Sequence, residues 1–107
     1  DWRMIRVLIV EADMNKSIQL SNAINSIHGV QVISIINNIT DIYNKIKFLR
    51  PKIVTLNLGM KNIEIMSLLK KIILDKEIKD NVHILAYTDN KKKFWKYSNM
   101  WRNIYRN

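Results

Sequence analysis

The sequence contains no cysteine among its 107 residues. Disulfides, thiolate metal centres and cysteine nucleophiles are therefore excluded, and nothing in cysteine usage points to secretion. Glycine occurs twice and proline once, so turn markers are sparse and element boundaries must come from periodicity. Long apolar runs are lacking too. The stretches Ile63–Leu69 and Val82–Tyr87 are broken by polar residues, far short of the roughly 20 apolar residues of a membrane span. The opening Asp1-Trp2-Arg3-Met4 has no signal-peptide pattern and no Met at position 1, so the native start is read as Met4 or a point upstream. A cytoplasmic protein is the default expectation. P-loop, dinucleotide and nucleophile-elbow motifs are missing. His28 and His83 have no ligand-spaced companion, and no metal site is expected from them.

Acidic residues are also scarce, with 9 Asp and Glu against 18 Lys and Arg, a formal net charge of +9. One reading is attraction to nucleic acid or an anionic surface. The other is compositional: Lys, Asn and Ile are all abundant and scattered, as AT-rich coding sequence would write them. The scatter favours the compositional reading for most of the chain. What is present in quantity is ordinary, with 48% hydrophobic and 25% charged residues, enough for one small globular domain spanning 1–107.

Periodicity orders the chain. Ile5–Val10 is a β-branched run of the kind that forms a strand buried on both faces. Asp13 is placed to cap a helix carrying Leu20, Ala23, Ile24 and Ile27 at helical spacing, ending near His28-Gly29. Val30–Ile35 is a second strand. Asn38 or Thr40 caps a second helix with Ile39, Ile42, Tyr43, Ile46 and Leu49 as its apolar stripe, closed by Pro51. Ile53–Leu56 is a third buried strand. A third helix follows with Ile65, Met66, Leu69, Ile72 and Ile73 inward. Asp80-Asn81 marks a turn, and Val82–Tyr87 is a fourth strand. Strands alternating with helices imply right-handed crossovers and a parallel sheet covered on both faces.

In such sheets ligands gather beyond the carboxyl ends of the strands. Those ends carry Glu11 and Asp13 after the first strand, Asn57 after the third and Thr88 after the fourth. Each alone reads as a cap; an acid, an amide and a hydroxyl on three strand tips read as one crevice.

Ile5–Asp13 (IRVLIVEAD), His28–Val32, Pro51–Met60 (PKIVTLNLGM) and Leu85–Asp89 (LAYTD) together resemble the receiver domain of bacterial response regulators. The flavour is nearest the NarL/LuxR type, with the chemotaxis methylesterase receiver as another relative. The resemblance covers residues 4–89. It implies a CheY-like, flavodoxin-like α/β/α fold with parallel strand order 2-1-3-4. The family's fifth strand, with its lysine, and its last helix have no counterpart in the chain. It also implies Mg²⁺-dependent phosphorylation of an aspartate at the end of the third strand, the position held here by Asn57. Of the family's acid pair, Glu11 matches the first member. Ala12 stands at the second, lost acid position, and Asp13 lies one residue further on. Lys61 replaces the proline of the strand-three loop, while Thr88 matches the switch hydroxyl.

These departures point to a degenerate receiver with no catalytic residue, no cofactor and a lost Mg²⁺ site. It would act in two-component-type signalling through a protein partner or homodimer, and DNA would be reached only through an output domain outside this chain. The alternative is a basic nucleic-acid-binding or transcription-regulatory module. Residues 90–107 form a basic, aromatic segment. As a helix they would align Phe94, Tyr97, Trp101 and Tyr105, with Trp95 and Arg102 alongside. That stripe reads as a helix sealing the sheet, or as an interaction surface rich in hot-spot residue types, or as a contact to membrane or nucleic acid. Without a fifth strand, the fourth would be an open sheet edge.

Overall fold

The computed structural model describes residues 4–57, 63–87 and, for the backbone, 94–96. Five segments are strands: β1 (Ile5–Val10), β2 (Val30–Ile36), β3 (Ile53–Asn57), β4 (His83–Tyr87) and β5 (Phe94–Lys96). The helices are α1 (Met14–Asn25), α2 (Ile42–Leu49), α3 (Ile63–Leu74) and α4 (Lys76–Asn81), with a single 3₁₀ turn at Ile39–Asp41 before α2. The sheet order is β2-β1-β3-β4-β5. The first four strands are mutually parallel, as the alternation of strands and helices requires.

Sheet parity sorts the core. Leu8, Val10, Val54, Leu56, Ile84 and Ala86 point to one face and are buried against Ile42, Ile46, Ile65, Leu69, Ile72 and Ile78 of α2, α3 and α4. Burying each Leu or Ile contributes about 1.5–3 kcal/mol, so this layer dominates stability. Val7 and Ile9 are buried on the opposite face, beside α1. Further along that face Thr55 is buried, while Leu85 is 43% exposed.

Local signals explain most boundaries. The Asp13 side chain accepts the Lys16 backbone N–H and caps α1. Asn38 caps the 3₁₀ turn through the Thr40 N–H. Arg50, forced out of the helical region by Pro51, ends α2 in the left-handed conformation at φ 48°. Asp75, between α3 and α4, accepts from Ile78 N–H, from the Tyr43 hydroxyl and from Lys47 Nζ at 2.9 Å. These three donors, the Tyr43 hydroxyl foremost, hold its carboxyl down at about 2.

Several expectations are corrected. α1 stops at Asn25, before Ile27, and Gly29 uses its left-handed φ of 83° in the loop beyond. The inward face of α1 is Ser17, Leu20, Ser21 and Ile24; Ala23 lies outside. In α3 Met66 is exposed and Leu68 is buried in its place, because the stripe of a 3.6-residue helix runs through 65, 68, 69 and 72. Asp80-Asn81 closes the short helix α4, which Asp75 caps.

The largest correction concerns the end of the chain. Phe94–Lys96 is a strand and not part of a helix, and it pairs antiparallel with β4 through Leu85↔Lys96, Ala86↔Trp95 and Tyr87↔Phe94. The sheet therefore has a fifth strand, and β4 is not an open edge. Unpaired N–H and C=O groups along β4 would cost free energy, and aromatic residues suit a pleated ribbon. Tyr97, Trp101, Arg102 and Tyr105 of the expected surface lie outside the described residues, as does the rest of 90–107.

Candidate functional site

Glu11 follows the last residue of β1, and its backbone N–H donates to Ile36 O at 3.0 Å, which carries the strand pairing one residue further. The side chain consequently turns inward at the carboxyl end of the sheet and is only 2% exposed. A buried carboxylate requires donors, and three converge on it. Asn57 Nδ2 donates to Oε1 at 2.9 Å and lies 3.2 Å from Oε2. The Tyr87 hydroxyl donates to Oε1 at 2.7 Å. The Asp13 backbone N–H donates to Oε2 at 3.2 Å.

The elements set this geometry. Asn57 ends β3 and is paired in register with Tyr87, which ends β4. Both share the α1-side parity of Thr55 and Leu85. Asn57, 3% exposed, has its amide fixed in orientation by its neighbour. The NH₂ must face Glu11, since an amide oxygen against a carboxylate would repel it. A second layer holds the loop after β1: Asn37 Nδ2 donates to the Glu11 carbonyl at 2.7 Å and lies 3.4 Å from Ser17 Oγ. Ser17, fully buried on α1, donates in turn to Met14 O at 2.7 Å.

Of the residues expected to meet, Glu11 and Asn57 do so. Asp13 joins them only through its backbone; its carboxylate is turned to the N-terminus of α1. Ala12 is exposed and brings no polar atom. Thr88 and Lys61 lie outside the described residues. The hydroxyl that reaches Glu11 is that of Tyr87, which sequence reading placed only as the end of a strand. Its parity with Asn57 on the neighbouring strand was the available signal. Asn37 and Ser17 gave none, because short polar residues near helix starts usually serve as local caps.

A Mg²⁺ site of the kind the resemblance implies does not fit this donor set. Magnesium needs oxygen ligands, usually one or two carboxylates that keep their lone pairs for the ion. Here both Glu11 oxygens accept protein donors, Asp13 caps a helix, and position 12 is a methyl group. Among the described residues, no group of three or more His, Cys, Asp or Glu is placed to hold a metal. At position 57 the amide nitrogen is turned onto a carboxylate and is a very poor phosphoryl acceptor.

Below the polar cluster, on the α1 side, lies a cavity of about 510 Å³. Leu20, Ile24 and Leu85 form its apolar walls, and Lys16 and Gln19 its rim. Thr55 also lines it, and its Oγ1 is buried without a hydrogen-bond partner among the described residues.

No family model matches the sequence, and no curated protein matches it. Solved structures do match in fold. The response regulator domain of CheB from Thermotoga maritima superposes with a TM-score of 0.72 at 19% identity, covering 97% of this chain and 72% of that one. Among the described residues, no helix is long and apolar enough to cross a membrane. The order of the four parallel strands, the flanking helices and this likeness together give the chain the CheY-like, flavodoxin-like fold of a receiver domain.

Proposed function

We propose that this chain is a degenerate receiver that takes part in two-component-type signalling through protein contacts, without being phosphorylated and without catalysing a reaction. One observation carries the reading: the amide of Asn57 is spent on Glu11, in a cluster that is buried and hydrogen-bonded. A working receiver needs carboxylates open to a dication and to an incoming phosphoryl group. The crevice has instead become a lock between β1, β3 and β4, and no bound metal is required.

A cytoplasmic location and a protein partner, or a second copy of the chain, follow from this reading. Phe48, 86% exposed on α2, is an aromatic side chain of the kind such contacts use. The finer assignment to the NarL/LuxR type rests on the sequence resemblance. Incubation of the native protein with acetyl phosphate and Mg²⁺, followed by intact-mass measurement, tests the proposal. It predicts no added phosphoryl mass, and stoichiometric addition would overturn it.

The net charge of +9 supports a second reading, a basic nucleic-acid-binding module. Duplex DNA affinity falling steeply between low and moderate salt would favour it, and no binding at low salt would remove it.

A further inference from the structure

At the opposite, amino-terminal end of the sheet, a second cavity of about 390 Å³ opens between the sheet, the end of α2 and α4. Four cations line it, Arg6 from β1, Lys47 and Arg50 from α2 and its cap, and Lys52 before β3, against one carboxylate, Glu77. We infer that this cavity binds a small oligophosphate, either the phosphate chain of a nucleotide or a free polyphosphate.

The charge arrangement is the first argument. Lys47 is paired with Asp75 at 2.9 Å. Among the described residues, Arg6, Arg50 and Lys52 have no ion-pair partner. Gathering like charges around a shared concavity is unfavourable unless an anion offsets them. The C-terminal dipole of α2 attracts cations and accounts for Lys47 and Arg50. It does not account for Lys52, which lies beyond Pro51 in the loop before β3 and makes no side-chain hydrogen bond among the described residues.

Geometry is the second argument. Arg6 is half-buried, and its Nη1 donates to the Arg50 carbonyl at 3.0 Å. This anchors the guanidinium while leaving other N–H groups of its fork for a ligand, and a fork of this kind matches phosphate oxygens in pairs. Arg50 occupies a left-handed position at φ 48°, where glycine is the usual helix stop. The chain therefore holds a cation where the backbone favours no side chain. The volume is in the range of small-molecule sites, roughly 300–1,000 Å³. A recess between two helices suits a compact polyanion better than the convex backbone of a duplex.

Calorimetric titration of the intact chain with inorganic tripolyphosphate, and separately with ATP, in magnesium-free buffer at low salt tests this. Saturable tripolyphosphate binding is expected, weakened about tenfold or more by Lys52→Ala and by Arg6→Gln. Lys70→Ala, which removes the same charge from the exposed face of α3, should leave it unchanged. Since the Lys52 side chain makes no hydrogen bond or ion pair among the described residues, that variant remains informative if Arg6→Gln is unstable. ATP binding as tightly as tripolyphosphate marks the phosphate chain as the whole ligand, and tighter binding marks a nucleotide; both support the inference. Absence of tripolyphosphate binding, or equal weakening by Lys70→Ala, would overturn it. So would duplex DNA binding that depends on Lys52 while tripolyphosphate fails to bind.

Discussion

Asn57 Nδ2 lies 2.9 Å from one carboxylate oxygen of Glu11 and 3.2 Å from the other, so the amide at the tip of β3 caps the acid at the tip of β1. This contact joins residues 46 positions apart in sequence, and neither is accessible to solvent. An amide can make it because NH₂ donates; a carboxylate in the same place cannot. On the reading proposed above, the asparagine at the family's acceptor position thus supplies a buried donor to Glu11.

Asn57→Asp would set two carboxylates side by side in a buried site. The loss of the donor and the like-charge contact should lower stability by about 3 kcal/mol or more at neutral pH. The loss should shrink in acid, where one carboxyl of the pair takes up a proton and becomes a donor again. Urea midpoints of the variant and native chain at neutral and mildly acidic pH check this, and an unchanged midpoint at neutral pH would count against the lock.

Tyr87→Phe keeps the ring and removes the hydroxyl that donates to Glu11 at 2.7 Å. Removing one donor from a buried, charged acceptor should cost about 1.5–3 kcal/mol. Chemical denaturation reads the change directly. A cost near zero would mean that Asn57 and the Asp13 N–H satisfy Glu11 unaided.

Thr55→Val replaces a buried hydroxyl that has no partner among the described residues with a methyl group of the same shape. Desolvation of an unpaired polar group costs about 1–3 kcal/mol, so this variant should be as stable as the native chain or more so. A clear fall in the urea midpoint would show that the hydroxyl has a partner in solution.

Asp75 supplies the acid dependence. Its carboxyl is lowered from 3.8 to about 2 by the Tyr43 hydroxyl, by Lys47 and by the Ile78 N–H. A depressed folded value means the contribution is complete above 3.8 and is lost as pH falls through about 2. The stability gap between native and Asp75→Asn chains should therefore be constant near neutrality and close over that acid interval. A gap that persists at pH about 2 would contradict the assignment. Tyr43 and Lys47 are both raised by their bonds to Asp75, so the same contacts are lost a second time in alkaline solution, where these donors give up their protons.

Much of this arrangement is legible in the sequence, and the rest is not, for definite reasons. The β-branched runs that became β1 and β3 lie in the interior of the sheet, where burial on both faces leaves an apolar signature, whereas β4 buries Ile84 and Ala86 on one face and leaves His83 and Leu85 exposed on the other. Asp13 is legible because capping is local. Glu11 and Asn57 are placed together by strand-tip reasoning alone. Tyr87 is missed because a tyrosine at a strand end looks like any other β-former until its register with Asn57 is known. β5 is missed because Phe94, Tyr97, Trp101 and Tyr105 fit a helical period equally well, and three residues are too few to show alternation. α4 is short, and Asp75 reads as a loop residue until its cap is seen.

The central claim is that the strand tips close on one another instead of opening toward a metal and a phosphate. Titrating the isotope-labelled native chain with Mg²⁺, while following the side-chain amide resonances of Asn57 and the backbone resonances of Glu11 and Asp13, tests it most directly. The account predicts resonances that stay in place through millimolar Mg²⁺, with the Asn57 amide protons slow to exchange. Saturable shifts centred on these residues would contradict it.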